Sequence, residues 1–407
     1  MFYAFLGLYS ILFWALGVFR PSIALALICG SIFFQQDLSG GGAVKFSIAE
    51  LNILLSVPLA FICQRKLRGF PGMAPVCIYL AICIISSLST WRTTTTVSVV
   101  QMFIYIAVVP IVFASLITSS DQCRKALDAV LIVATPLALL PVVLGSNYVV
   151  GLHKNGLGGT LCAALLIAVE LLLHEPSRRK TWIYAMSAGC ISLGLLGTLS
   201  RGAWIGTISG LAVLAIWRRQ SKRLIQAFLC ILPILAFFWW KLPAESRQYA
   251  TNLSKETWNV QARLNTIDLL LEQFRSSRVW GVGVGLRKEY DSTDIALSTL
   301  AETGIVGVLS FAAIYVTVFV RLWRARRWLP QEDLTASIAA LAVALNVAKL
   351  THGMVDHFWT RGSITLAWGF VGMTAALIPA TRRRLALLQV FGKSADVGSS
   401  PALQVED

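Results

Sequence analysis

Apolar runs of roughly 17–25 residues, the length a helix needs to cross the hydrocarbon core of a bilayer, recur along most of this chain. In that solvent every backbone N–H and C=O must be paired internally, which leaves helices or closed barrels as the spanning structures. The runs fall at 3–19, 21–36, 47–63, 73–90, 96–118, 125–144, 156–173, 182–199, 203–217, 224–240, 305–323, 333–354 and 363–379. The first two are short enough to form one broken element, so 12–13 transmembrane helices are expected in an all-α polytopic membrane protein. With 56% hydrophobic and 14% charged residues, the 407-residue chain is too apolar for a soluble globular domain.

A formal net charge of +15 would suit a nucleic-acid binder, but its distribution excludes that class. The positive residues stand in short clusters between runs, such as Arg65/Lys66/Arg68, Arg124/Lys125 and Arg178/Arg179/Lys180. Arg218/Arg219/Lys222/Arg223, Arg324/Arg326/Arg327 and Arg382/Arg383/Arg384 continue the series, while alternate connections lack them. Cytoplasmic loops carry such an excess of Lys and Arg. The segments 145–155, 199–203, 241–304 and 355–362 are then expected on the opposite, periplasm-like face. Four regions follow: helices over 1–240, an external loop over 241–304, helices over 305–379, and a cytoplasmic tail over 380–407. Beyond Lys393 the tail is rich in Ser, Gly and acidic residues and reads as disordered.

The eight cysteines lack CxxC spacing and read as small buried hydrophobes. Met1 to Phe19 has no basic leader or convincing cleavage site and reads as a retained span. No internal repeat of the kind that builds inverted-repeat transporters is visible.

Within the polar insert, Val260, Leu264, Ile267, Leu271 and Phe274 recur at three- to four-residue spacing, which predicts an amphipathic helix on the membrane surface or over a cavity. It is followed by Gly281-Val282-Gly283-Val284-Gly285, read as a flexible hinge or a close backbone approach to a ligand. Eight Lys/Arg against eight Asp/Glu between Lys241 and Gly304 exclude a general cationic funnel. An anion site there must come from the placement of a few arginines.

Arg201, in Leu199-Ser200-Arg201-Gly202-Ala203-Trp204, is the leading candidate. It lies where two spans meet, on the face where positive residues are scarce, and its guanidinium stays charged and needs a partner. The alternative is an arginine snorkelling to the interface. Arg263, Arg275, Arg278 and Arg287 lie on the insert, and two arginines from different segments can clamp a pyrophosphate. Asn346, Lys349, Asp356 and either His352 or Gly353 share one helical face, which suits a catalytic network or a structural one. His357 and Arg361 follow externally, within reach of Arg201 if the fold allows. His153, beside Lys154 and a helix start, is a further anion-binding candidate. No HExxH, nucleophile elbow or Walker motif appears.

These pieces together resemble the O-antigen ligase and polymerase superfamily of bacterial inner-membrane glycosyltransferases. The resemblance rests on the Ser200-Arg201-Gly202-Ala203-Trp204 turn, a large external loop with Arg263-Leu264, Trp280 to Gly285, and Leu300-Ala301-Glu302-Thr303-Gly304-Ile305-Val306-Gly307. It implies a helical fold of the broad GT-C kind that moves a glycan from undecaprenyl pyrophosphate to an acceptor hydroxyl on the periplasmic side. The acceptor is the lipid A core in ligases and another lipid-linked repeat unit in polymerases. By this resemblance Arg201 and Arg263 hold the pyrophosphate, and neither metal nor nucleotide sugar is needed. Arg278, Arg361 and His153 join the same anion-binding set. Ligases carry a histidine where this chain has Thr293, which fits a polymerase or exopolysaccharide branch better. A base is then sought in Asp294, Asp291 or the Asp356/His357 pair. Two rivals remain: a transporter or flippase using the Asn346/Lys349/Asp356 face, and an inactive glycan-binding partner.

Overall fold

The computed structural model describes residues 2–38, 47–64, 67–144, 148–149, 151–175, 177–219, 221–251, 258–286, 294–356 and 362–397. The first helices are α1 (Phe2–Phe19), α2 (Pro21–Ser31), α3 (Ile48–Gln64) and α4 (Met73–Ser87). α5 (Thr93–Phe103) runs through a π segment, Ile104–Val108, into α6 (Val109–Leu116), and α7 (Ser120–Leu144) follows. A small antiparallel pair, β1 (Tyr148–Val149) and β2 (Leu152–His153), leads into α8 (Lys154–His174) and α9 (Arg178–Gly197). Then come α10 (Arg201–Arg218), α11 (Ser221–Lys241), α12 (Ala244–Thr251) and α13 (Trp258–Ser276). The last three are α14 (Ile295–Arg326), α15 (Leu334–Gly353) and α16 (Ser363–Val397).

All thirteen apolar runs fall on helices, with α5, the π segment and α6 forming one of them. Among the described residues, six helices are long and apolar enough to cross a membrane, and shorter apolar helices accompany them. The described residues are predominantly helical, as in an all-α membrane-embedded protein.

Its centre is made of α8, α10, α15 and α16. The apolar stretches of α8 and α15 are 83% and 78% buried, against 33% for α7 and 28% for α14, so the latter two lie at the periphery. Contacts at both ends give the directions. At one end Arg218 Nε, closing α10, donates to Glu170 Oε1 near the end of α8 (2.7 Å), and Arg218 Nη2 donates to Ser337 Oγ at the start of α15 (2.5 Å). There too, the hydroxyls of Thr335 and Thr381 meet at 2.9 Å. At the other end Gly158 of α8 abuts Ser200 and Ala203, while Gly159 abuts His352 and Ser363. Helices α8, α10 and α16 are therefore parallel, and α15 runs against them. Gly202, Gly206 and Gly210 recur every fourth residue on α10 and bring it close to α15. A Cβ at Gly206 would stand 2.8 Å from Ala348 O. Small residues at such interfaces let dispersion contacts replace the hydrophobic drive that lipid does not supply.

The basic clusters gather at one end of this bundle. Arg124 pairs with Glu175 and donates to Tyr184 Oη (3.0 Å), Arg326 Nε donates to Trp217 O (2.9 Å), and Arg384 pairs with Asp333. Arg201 opens α10 at the opposite end, roughly 27 Å away for eighteen residues at 1.5 Å each.

Two expectations are corrected. α16 continues through Ala380 and past Lys393 to Val397, so the start of the expected disordered tail is helical; 398–407 lie outside the described residues. The glycine run is no hinge either. α14 starts at Ile295, inside the expected loop, and breaks at Gly304 (φ 65°, ψ −166°), a conformation open essentially to glycine alone. In an unbroken helix the Ile305 and Val306 amides would donate to the Ala301 and Glu302 carbonyls. Here Ile305 N donates to Arg278 O (3.0 Å) and Val306 N to Val279 O (3.3 Å). Ala301 O and Glu302 O accept instead from Val282 N and Gly283 N, both at 3.0 Å. The segment thus takes up all four groups that the kink releases. Glu302 Oε1 accepts from Gly285 N and Ser87 Oγ from Val284 N, each at 2.9 Å, which fixes the run on both sides.

Candidate functional site

The N-termini of α8, α10 and α16 converge at the end of the bundle away from the basic clusters, beside the C-terminus of α15. A helix start leaves four N–H groups without helical partners and carries a partial positive charge. Acidic side chains usually stand there, yet α10 opens on Arg201 and α8 on Lys154. Two cations on two positive helix ends call for anionic charge nearby. Ser200 takes the N-cap position of α10 with extended backbone, but its side chain does not cap the helix. Its hydroxyl is buried and, among the described residues, makes no hydrogen bond. The preceding Leu199 is held at φ 52°, a left-handed conformation that is strained for leucine. Backbone strain and an unsatisfied hydroxyl flank one partly buried arginine.

Asp356 is a carboxylate that the fold brings to this point. It lies in the turn that closes α15, is 9% exposed, and its Cβ is 3.6 Å from where a Cβ on Gly202 would stand. Arg201 and Asp356, 155 residues apart in sequence, are thereby neighbours across Gly202.

Below them lie His352 and Lys349 on the buried face of α15. The His352 ring is clasped between two glycines: a Cβ at Gly202 would stand 2.7 Å from Cδ2, and one at Gly159 would stand 2.9 Å from Cε1. Its Nε2 is buried and, among the described residues, has no hydrogen-bond partner. Lys349 is 4% exposed, with Asp356 the carboxylate that acts on its charge. Both side chains, with Gly159, Cys162 and Ser363, line a cavity of about 10 Å³, room for one water at most. Asn346, on the same face, is structural. Its Nδ2 donates to Ala342 O (2.8 Å) and Ala367 O (2.9 Å), tying α15 to α16.

The other candidates are distributed as follows. His153 is partly buried and occupies the N-cap position of α8 without a side-chain cap hydrogen bond among the described residues. Asp294 is the N-cap of α14: its Oδ1 accepts from Leu297 N (2.9 Å), a helix-starting role at an otherwise unexplained carboxylate. Arg263 is partly buried on α13, and α13 packs on α14. The side of α13 that sinks deepest centres on Leu270, while Leu264 remains 38% exposed, so the packed stripe is rotated from the one expected. Arg278 is exposed at the start of the segment that fills the Gly304 break. Arg263, Arg278 and Asp294 thus belong to the α13–α14 region, whereas Arg201 opens α10 and Asp356 follows α15. Asp291, His357, Arg361 and Thr293 lie outside the described residues.

Sequence reasoning did not select Ser200 or choose His352 over Gly353. The signal available for His352 was the pairing of glycines in two other spans, Gly159 and Gly202, which has meaning only once α8, α10 and α15 are known to touch. Among the described residues, no three His, Cys, Asp or Glu side chains cluster as metal ligands do.

Compared with known proteins, the chain matches no family model and no curated protein.

Proposed function

We propose that this protein is a membrane glycosyltransferase whose donor is a glycan on a polyprenyl diphosphate, with Arg201 meeting the diphosphate and Asp356 serving as base. The observation that carries this reading is the gathering of three helix N-termini, Arg201 and a Ser200 hydroxyl without a hydrogen bond among the described residues, beside the Asp356 carboxylate. Helix starts and guanidinium groups favour phosphate oxygens, whose charge grows as the diphosphate departs. In the step, the acceptor oxygen bonds to the anomeric carbon while the bond from that carbon to the diphosphate oxygen breaks. The diphosphate keeps the electron pair, and Asp356 takes the acceptor's proton. Fixed donors in a site of low dielectric are each worth on the order of 10²–10³ in rate, and a base about 10²–10⁴.

The sequence resemblance to the O-antigen ligase and polymerase superfamily points the same way. With Thr293 at the ligase histidine position, a polymerase acting on a second lipid-linked glycan is the form favoured. The site would face the periplasm of a bacterial inner membrane, because the basic clusters gather at the other end of the bundle. A transport path along Asn346, Lys349 and Asp356 is disfavoured by the close packing of that face on α8, α10 and α16.

The test is incubation of the purified protein with a polyprenyl-diphosphate glycan, following release of the carrier and growth of the glycan. Arg201→Ala and Asp356→Asn should each lose transfer by at least two orders of magnitude, while the exposed Arg278→Ala changes it little. Wild-type turnover in Arg201→Ala would sink the proposal.

A further inference from the structure

Helices α7 and α9 start together at the basic end of the bundle and lie side by side. Far from that end they touch where glycine permits: a Cβ at Gly194 would stand 2.1 Å from Ala138 O, and one at Gly197 would stand 3.1 Å from Val142 Cγ2. Nearer their starts a wedge separates them, an open groove of about 600 Å³. Its lining is graded along the helix axes. Leu131, Ile132, Pro136 and Ile183 form an apolar shaft, and Lys180 stands at the basic end.

Three details give the groove chemical character. Pro136 has no N–H, so the Ile132 carbonyl on the groove wall lacks its helical donor. Ser187 is 7% exposed and places a hydroxyl-bearing residue in the groove wall. The charges at the mouth do not balance. Lys125 pairs with Asp121 (2.6 Å), Arg124 with Glu175, and Asp128 accepts from Tyr184 Oη (2.9 Å). A phenol does not neutralise Asp128, which also lines the groove, so five cations at the mouth face three carboxylates, and the surplus of two lies on the exposed Arg178, Arg179 and Lys180.

An apolar shaft under a cationic mouth has the shape and polarity of an amphiphile with an anionic head. We infer that this groove is a binding site for one anionic diacyl phospholipid. Its phosphate sits on Lys180 and the adjoining arginines, and one acyl chain lies along Leu131, Ile132 and Pro136. An ester carbonyl accepts from Ser187. Basic pockets between transmembrane helices recognise anionic headgroups on this principle. The site lies toward the opposite end of the bundle from Arg201 and does not depend on glycosyl transfer.

Native mass spectrometry of the full chain in detergent tests this, with phosphatidylglycerol or phosphatidylethanolamine of matched acyl chains added in turn. Wild type should retain phosphatidylglycerol in preference. Lys180→Ala should weaken that adduct about fivefold and leave phosphatidylethanolamine unchanged. Ser187→Phe, which fills the shaft, should remove it. Lys222→Ala, an exposed lysine in another basic cluster, should have no effect. Equal retention of the two lipids by wild type, or equal loss in Lys180→Ala and Lys222→Ala, would overturn the inference. If Ser187→Phe does not fold, the Lys180 comparison decides alone, because that side chain is exposed.

Discussion

His352 and Gly202 are in direct contact across the α10–α15 interface, with the imidazole lying where a side chain at 202 would begin. A methyl group there would meet Cδ2 at 2.7 Å, and the ring has no retreat, because Gly159 holds its other edge. Gly202→Ala should therefore destabilise the protein by about 1–3 kcal/mol, the usual range for overpacking. Trimming the ring in the same chain, with His352→Ala, should return most of that loss. Thermal unfolding of the single and double variants reads the difference. Equal losses in both would mean that the ring is not the obstacle.

Gly304 offers a second test of glycine chemistry. Its backbone conformation excludes side chains, and a Cβ would stand 2.2 Å from Val279 O, so Gly304→Ala cannot keep the break as built. A residue forced into such a conformation is strained by about 1–3 kcal/mol, and the close contact adds to this. The expected outcome is that α14 straightens and restores its own Ile305 and Val306 hydrogen bonds, which expels the Arg278–Gly283 segment. Amide hydrogen exchange should then rise at Val282 and Gly283 and stay low at Ile305. Unchanged protection at Val282 would refute this account.

At the opposite end of the bundle, Arg218 and Glu170 are buried together, with side chains 4% and 0% exposed. Arg218 Nη1 also donates to Gln331 O (2.5 Å), so α8, α10 and the approach to α15 are joined through one guanidinium. Removing either partner leaves the other charge buried and unpaired, which costs about 3–5 kcal/mol. Arg218→Met or Glu170→Leu alone should show that loss in thermal unfolding. The double replacement should recover a large part of it, since an apolar pair of similar volume needs no compensation. Additive losses would mean that the two charges stabilise the fold independently.

Helix positions were legible because apolarity at membrane length is a local property of the sequence. The topology of the basic clusters was legible for the same reason, and Arg124, Arg326 and Arg384 do lie at one end. What could not be read depends on contacts between distant segments. Gly281 and Gly304 are 23 residues apart, and neither requires glycine until Val279 and Glu302 are brought against them. Asp294 stands just before an apolar helical run, which is a capping signal, but the missing ligase histidine next to it drew a catalytic reading instead. The Arg201–Asp356 neighbourhood required knowing that α10 and α15 pack antiparallel along Gly202, Gly206 and Gly210.

Asp333 gives the protein a pH dependence whose sign can be worked out. It is the N-cap of α15, where its Oδ1 accepts from Thr335 N (2.8 Å) and its other oxygen pairs with Arg384. Partial burial alone would raise this carboxyl, but the Thr335 hydrogen bonds and the Arg384 charge outweigh it and hold it below the usual 3.8. A group with a lowered folded value contributes stability that is complete above its unfolded value and is lost as pH falls through the folded one. The contribution should therefore be constant at neutral pH and disappear below about pH 4, the ordinary range of an aspartate. Asp333→Ala should lose the cap, about 0.5–2 kcal/mol, at neutral pH. Its thermal unfolding should also fall less steeply than wild type in acid. Arg384→Ala should have a smaller effect, because that side chain is 61% exposed and surface pairs are weak. Parallel acid limbs for wild type and Asp333→Ala would show that the carboxylate is not the group that titrates.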